Sequence, residues 1–147
     1  MRVAALVIAA KLLLAATVLL SLHLLPTFFD EAGYLKRFHW PPDEEPNWSW
    51  RLKTWDGAHY LYLSEEGYAR SGASAAFYPL WPSLIRLVRP LVGSSLAAAL
   101  LLANLFSVVG LVLLHRLVAR IGGRRAADAS LLFAITYPGA LYFCFGY

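Results

Sequence analysis

This 147-residue chain contains three long apolar blocks, and these blocks restrict the folds available to it more than any other feature. They cover about residues 3–25, 91–114 and 126–147. Each holds the roughly 20 mostly apolar residues that an α-helix needs to cross a bilayer. Charged residues make up only 15% of the chain, against about 25% in soluble domains. The sequence therefore predicts an all-α membrane protein with three transmembrane helices and a large loop, residues 26–90, after the first.

The first apolar block has an alternative interpretation as a cleaved signal peptide. Arg2 would be its positively charged start, and residues 12–20 its apolar core. However, the apolar run continues to Leu25, and Leu-His-Leu at 22–24 is a poor cleavage site. We therefore expect a retained helix. Lys11 lies only about 12 Å along that helix from residue 3, so we expect its amine to reach the nearby headgroups.

The charge distribution predicts the orientation of these helices. Eight of the nine acidic residues lie between Asp30 and Glu66. A short glycine-containing turn at 121–125 is instead surrounded by arginines, opposed only by Asp128. The arginines are Arg116, Arg120, Arg124 and Arg125. The positive-inside rule places this turn and the N-terminus in the cytoplasm, and loop 26–90 outside it. Basic residues that flank apolar spans also argue against a nucleic-acid partner.

Individual residues refine this topology. The turn at 121–125 suits an antiparallel helix pair. Asn104 is expected to form an interhelical hydrogen bond, and Pro138 to kink the third span. Outside the spans, the proline-rich run at 41–46 is expected to be a solvated excursion.

The outer loop is rich in aromatic residues, which indicates an ordered segment rather than a flexible linker. It contains all five tryptophans of the chain, Trp40, Trp48, Trp50, Trp55 and Trp81. Apolar and aromatic positions recur at helical spacing over about 55–66 and 82–92. We predict two short helices lying along the membrane surface, separated by a small and polar turn at 67–76.

Three short motifs carry a resemblance to a known family. Residues 54–68 read Thr-Trp-Asp-Gly-Ala-His-Tyr-Leu-Tyr-Leu-Ser-Glu-Glu-Gly-Tyr, residues 76–82 read Ala-Phe-Tyr-Pro-Leu-Trp-Pro, and residues 137–140 read Tyr-Pro-Gly-Ala. In content, order and spacing these motifs resemble the PIG-V-type mannosyltransferases of the GT-C class. The resemblance covers most of residues 54–147. The first fifty residues match only in having one span followed by an acidic, aromatic loop.

The resemblance implies a multi-span membrane glycosyltransferase. Such enzymes transfer a mannosyl or similar sugar from a polyprenyl-phosphate donor to a hydroxyl group of a glycan or glycolipid acceptor, outside the cytoplasm. The third apolar block runs to Tyr147 without a polar flank, so we expect the chain to be an N-terminal part of such an enzyme. The alternative is a non-enzymatic membrane scaffold or transporter component, since three spans alone are too few to enclose a lipid-linked sugar.

The family's acidic residue in the first outer loop corresponds to Asp56. An acceptor hydroxyl must lose its proton as it attacks the sugar, so a carboxylate must lie within hydrogen-bond reach. Trp55 offers a face on which a sugar can stack, and Gly57 allows close approach. Two alternatives remain open: Asp56 only caps the following helix, or the base is Asp30 or Glu31, where other GT-C branches carry an acidic pair.

The other candidate residues would bind substrate. His59 and Tyr60 follow Asp56 within the first motif, and Arg86 and Arg89 suit a lipid phosphate. His59 has a competing role in filling a gap at the interface, and the arginines a competing role as anchors to membrane lipids. The sequence has no Cys/His metal motif. The one candidate cofactor is a divalent cation held by Asp56 with Glu65 or Glu66.

Overall fold

The computed structural model of the chain describes residues 2–24, 30–38, 40–41, 49, 52–53, 55–70, 72–137 and 139–140. Five α-helices form within these residues, and no strand does. They are α1 (Arg2–Leu24), α2 (Glu31–Phe38), α3 (Asp56–Glu66), α4 (Leu80–Val92) and α5 (Ser95–Thr136). The all-α prediction is confirmed for this part of the chain. Most of the proline-rich run at 41–46, together with Trp48, Trp50 and Pro138, lies outside it.

The described residues divide into two compact units, and the division falls inside α5. One unit contains α1 and the part of α5 that starts at Asn104. The other contains α2, α3, α4 and the beginning of α5 up to Ala103.

Two of the helices are long and apolar enough to cross a membrane. The first is the N-terminal helix, over Arg2–Ser21, and the second is α5. Most of the predicted second span, 91–114, and the first half of the predicted third span, 126–147, fall in α5, so a count of three spans is not confirmed. Its last arm, residues 124–136, is about 20 Å long at 1.5 Å per residue, and the residues after 140 lie outside the described part of the chain.

Gly123 divides α5 into two helical arms. Its backbone has φ 79° and ψ 174°, which is not helical. His115 and Asp128 nevertheless meet across this point, with Nε2 and Oδ1 2.9 Å apart. In a straight helix, 13 residues would separate them by about 20 Å. The chain therefore reverses direction at Gly123, and the predicted glycine-broken turn between antiparallel helices is confirmed in its geometry.

Lys11 does not reach out to the headgroups as expected. Its Nζ donates a hydrogen bond to Oδ1 of Asn104, at 3.1 Å and partly buried. The expectation was wrong because a side-chain amide on a neighbouring helix offers the ammonium a partner at its own depth, where an unpaired charge is costly. The predicted interhelical role of Asn104 is confirmed. The bond also ties α1 to α5. Retention of α1 stays a prediction.

The second apolar block starts later than predicted because α4 and α5 are separate helices. Gly93, at φ 86°, ends α4 in the left-handed conformation that favours glycine, and its N–H donates to the Arg89 carbonyl at 2.9 Å. Ser94 then starts α5, since its Oγ accepts a hydrogen bond from the Ala97 N–H at 3.1 Å. The predicted start near residue 91 therefore belongs to α4.

The second unit is held together by apolar contacts among α3, α4 and the start of α5. Leu61 from α3 and Ile85 from α4 are buried against small and apolar residues of α5, namely Ala98, Ala99 and Leu102. Small side chains on α5 let the helices approach closely. The helices α3 and α4 lie where the sequence predicted helices, at 55–66 and 82–92, and two short 3₁₀ segments, Tyr68–Arg70 and Gly72–Ala76, lie between them. Their predicted placement along the membrane surface stays a prediction.

Candidate functional site

Asp56 is the first residue of α3, and its side chain is exposed. The residue at the N-cap is Trp55, with no side-chain capping hydrogen bond. The alternative that Asp56 only caps a helix starting at Gly57 is therefore wrong, because the helix starts one residue earlier. Among the described residues, no side chain is shown bonded to the Asp56 carboxylate. Its position in the first turn still favours a negative charge, because the helix dipole is positive there.

Trp55 precedes this carboxylate in an unusual backbone conformation. Its φ is +55° and its ψ −136°, a combination that L-residues rarely adopt. The indole is 49% exposed, so an aromatic surface lies next to an exposed carboxylate in sequence and at the same helix end. A sugar can stack its apolar face on such a ring while its hydroxyls meet an acid.

His59 lies one turn into α3 and is held on both faces by aromatic rings. Its ring stacks on Trp40 with centroids 5.2 Å apart and on Phe77 with centroids 4.7 Å apart. Its Nδ1 lies 2.8 Å from Oγ of the buried Ser74. Nε2 is then the ring nitrogen left for a substrate. Burial lowers the pKa of His59 below 6.5, although the Asp56 charge opposes this change.

Phe77 contacts several side chains on this side of α3. It belongs to the motif at 76–82, but the sequence alone did not indicate these contacts. The Tyr60 ring meets Phe77 edge to face, with centroids 5.2 Å apart. Tyr68 donates its hydroxyl proton to the Phe77 carbonyl at 2.7 Å. Burial raises the pKa of Tyr60, and the charges of Asp56 and Tyr68 raise it further. Tyr60 therefore stays protonated and can donate a hydrogen bond. Adjacent turns of α3 carry Asp56, His59 and Tyr60.

Arg86 and Arg89 are exposed on α4. The Arg86 guanidinium approaches Gly67, where a Cβ on that glycine would lie 3.8 Å from its Nη1. Gly67 ends α3, so Arg86 lies at the opposite end of that helix from Asp56. The observed contact thus places Arg86 near the end of α3 rather than near Asp56. The binding role of Arg89 stays a prediction.

Asp30 is engaged in local structure. Its Oδ1 accepts a hydrogen bond from the Gly33 N–H at 3.0 Å, so it caps the start of α2. A Cβ at Gly33 would require the Asp30 carboxylate to shift from this position. The side chain of the other alternative base, Glu31, lies outside the described part of the chain. The helix α2 was not predicted from the sequence. Asp30, followed by a short amphipathic run, was the feature that could have indicated it.

The suggested cation site does not form from α3. Asp56 is the first and Glu66 the last residue of this 11-residue helix. Their backbones are about 15 Å apart at 1.5 Å per residue, and Glu65 is one residue nearer. A cation binds carboxylate oxygens at about 2.0–2.6 Å, so Asp56 cannot share one with either glutamate. Within the described residues, no group of three or more His, Cys, Asp or Glu side chains could hold a metal ion.

A cavity of about 140 Å³ lies on the other side of α3. It is lined by Trp40, Pro41, Ser49, Lys53, Ala58, Leu61, Tyr62, Glu65, Ser94, Ser95 and Leu96. Trp40 Nε1 and Ser95 Oγ are buried without a partner in the described chain. Mixed donors, a carboxylate and two aromatic rings suit a ligand rich in hydroxyl groups. Glu65 and Asp56 are nine residues apart, on opposite faces of the helix. Trp40 lines this cavity and also stacks on His59.

Comparison with curated proteins finds similarity to mannosyltransferases of the PIG-V type, the family that the motifs of this chain predicted. It is similar to GPI alpha-1,6-mannosyltransferase 2 of Cricetulus griseus, with 35% identity over 108 residues. Identity to the proteins of that name from Rattus norvegicus and Mus musculus is 34% and 36%. Each match covers 65% of this chain and 22% of the relative, so the chain spans about a fifth of these proteins. No family model and no solved structure matches.

The matched stretch includes the candidate site. Because it covers 65% of the chain, a continuous match must contain the centre of the chain, where α3 and α4 lie. The first two motifs, at 54–68 and 76–82, therefore fall within the region of similarity.

Proposed function

We propose that this protein acts in a membrane glycosyltransferase that transfers a mannosyl or similar sugar from a polyprenyl-phosphate donor to a hydroxyl group of a glycan or glycolipid. The observation that carries this proposal is the exposed Asp56 carboxylate, next to Trp55 and one turn from His59 and Tyr60, inside the stretch shared with named mannosyltransferases. The reaction would take place on the extracytoplasmic side, where the charge pattern places loop 26–90.

In the proposed reaction, Asp56 accepts the proton of the acceptor hydroxyl. The acceptor oxygen forms a bond to C1 of the sugar, and the bond from C1 to the phosphate oxygen breaks. The polyprenyl phosphate leaves with the electron pair. An exposed carboxylate suits this role because a substrate hydroxyl can reach it, and general-base catalysis of this kind typically contributes about 10²–10⁴-fold to the rate.

The aromatic side of α3 would position the substrates. Trp55 offers a stacking surface for a sugar ring. His59 Nε2 and the protonated Tyr60 hydroxyl offer polar contacts close to the same end of the helix. Arg86 and Arg89 are candidates for binding the lipid phosphate, and Arg86, near the end of α3, would meet a donor that extends along this helix.

Asp56→Asn tests this assignment. We expect sugar transfer from polyprenyl-phosphate-mannose, in membranes from cells that express the protein, to fall by about 10²-fold or more, because an amide cannot accept the proton. Glu66→Gln is the matched control, since it removes an exposed carboxylate from the other end of the same helix. We expect this variant to retain activity.

The outcomes separate the role of Asp56 from the proposed function. Transfer that survives Asp56→Asn would reject Asp56 as the base and leave the glycosyltransferase in place, with Asp30 and Glu31 the next residues to substitute. No transfer by the unsubstituted protein from any polyprenyl-phosphate sugar would reject the glycosyltransferase and favour a scaffold or transporter component.

A further inference from the structure

A basic groove lies along the first arm of α5, next to the turn at Gly123. Five residues line this concavity of about 470 Å³: His115, Arg116, Ala119, Arg120 and Arg124. Arg116 and Arg120 lie one helical turn apart on the first arm. Arg124 is the first residue after Gly123, so the chain reversal there brings it to the same groove.

The arginines of the groove carry positive charge without a carboxylate to balance it. Asp128 is the one acidic residue outside the stretch from Asp30 to Glu66. Its Oδ1 bonds to Nε2 of His115 at 2.9 Å, rather than to an arginine. Among the described residues, no carboxylate is shown paired with Arg116, Arg120 or Arg124. Like charges one turn apart on a helix repel each other, so an anion in the groove would relieve this repulsion.

The surroundings of the groove favour an anion that is attached to a lipid. Leu117 and Ile121, on the same arm, are 56% and 79% exposed. These side chains are suited to contact acyl chains, whereas a soluble ion would leave them in water. The groove also lies at the end of the apolar first arm of α5, and α5 is long enough to cross a membrane. The headgroups of a bilayer lie at the ends of such a helix.

We propose that this basic groove binds the phosphate group of an anionic phospholipid. Guanidinium groups recognise phosphate oxygens with paired, charge-assisted hydrogen bonds. Three of them converge on one concavity here, and exposed leucine and isoleucine side chains next to it meet the lipid tails. The proposal does not depend on the transferase activity, since it rests on the arms of α5 alone.

Arg120→Gln and Arg125→Gln distinguish a built site from a general attraction to positive charge. Both remove one positive charge from an exposed position, but only Arg120 lines the groove. The protein would be purified in neutral detergent and titrated with phosphatidylglycerol, with phosphatidylcholine as the uncharged comparison. Thermal unfolding would report binding, because a ligand that binds only the folded state raises the midpoint.

We expect phosphatidylglycerol to raise the midpoint of the unsubstituted protein and of Arg125→Gln alike, and phosphatidylcholine to leave it unchanged. Arg120→Gln should weaken the apparent affinity by about tenfold, which corresponds to about 1.4 kcal/mol. Equal weakening by the two substitutions would overturn the groove as a site. Inorganic phosphate that raises the midpoint as much as phosphatidylglycerol at equal concentration would overturn the lipid as its ligand.

Discussion

Trp55 holds a backbone conformation that costs free energy, and it does so next to the proposed base. A non-glycine residue at φ +55° and ψ −136° is strained by about 1–3 kcal/mol. Such strain persists only where the surrounding structure maintains it, and it is common at functional sites. Here it places the half-exposed indole and the Asp56 carboxylate together at the start of α3.

His59 links this site to pH. Burial lowers its pKa from 6.5 in spite of the opposing charge of Asp56. Between the lowered value and 6.5, the unfolded chain therefore binds more protons than the folded one. The contribution of His59 to stability is complete above about pH 6.5, and it is lost as the pH falls from there towards the lowered pKa.

We therefore expect the thermal midpoint to fall on acidification from about pH 7.5 to pH 5 more steeply in the unsubstituted protein than in a His59→Phe, Ser74→Ala variant. Phenylalanine keeps a ring between Trp40 and Phe77 but does not titrate, and Ser74→Ala removes the hydroxyl that would lose its partner. Unfolding followed by circular dichroism in detergent gives both slopes. If the thermal midpoint fell equally steeply with pH in both proteins, the pKa of His59 would be the same in the folded and the unfolded chain.

Ser95 makes a second prediction at this scale. Its side chain is 2% exposed, and its Oγ has no partner in the described chain. A buried polar atom left in this state costs about 1–3 kcal/mol, so we expect Ser95→Ala to leave the free energy of unfolding unchanged or to raise it. The neighbouring Ser94→Ala removes the cap of α5 and should lower it by about 0.5–2 kcal/mol. If denaturant titrations showed that Ser95→Ala lowers the free energy of unfolding as much as Ser94→Ala does, the Ser95 hydroxyl would have a partner.

At the scale of elements, Gly123 decides the path of α5. Without its φ of 79°, the two arms could not fold back and His115 could not meet Asp128. The helix before it is ordinary: Gly110 lies within the first arm, and a Cβ there would meet nothing within 4 Å. These two glycines make a matched pair, since one is required by the backbone and the other is not.

Gly123→Ala should lower the stability of the protein by about 1–3 kcal/mol, because its φ and ψ lie in a region that is essentially restricted to glycine. Gly110→Ala should leave stability unchanged or raise it by up to about 1 kcal/mol, the difference in helix propensity. Thermal unfolding of both variants in detergent gives the comparison. If both substitutions were tolerated equally, the turn would not depend on the conformation seen at Gly123.

At the scale of the whole molecule, two helices are long and apolar enough to cross a membrane, and the segments around them differ in composition. Acidic and aromatic residues fill loop 26–90, whereas arginines surround the turn at 121–125. If α5 crosses the bilayer between them, these two segments face opposite sides.

Cysteine labelling tests this topology. With Cys144 replaced by alanine, we expect Ala73→Cys to react with a membrane-impermeant maleimide in intact cells and Arg125→Cys only after permeabilisation. Both positions are exposed, so the difference would report the side of the membrane rather than burial. Labelling of both in intact cells would contradict the opposite placement of the two segments.

Much of the element structure follows from local sequence. The apolar blocks, the helical spacing at 55–66 and 82–92, and the glycines at the turn predicted α1, α3, α4 and the reversal in α5. These features depend on side chains a few residues apart and on the backbone freedom of glycine, so the sequence alone determined them. It also singled out Trp55 and Asp56, because their motif is local.

Contacts between distant segments were decided only by the tertiary structure. The rings of Trp40 and Phe77 enclose His59 from about 20 residues away on either side. Lys11 bonds to Asn104, 93 residues along the chain, instead of reaching the headgroups. Arg86 ends near Gly67 rather than beside Asp56. Local periodicity specifies which face of a helix is apolar, but the partner of a polar or aromatic side chain depends on which helices pack together.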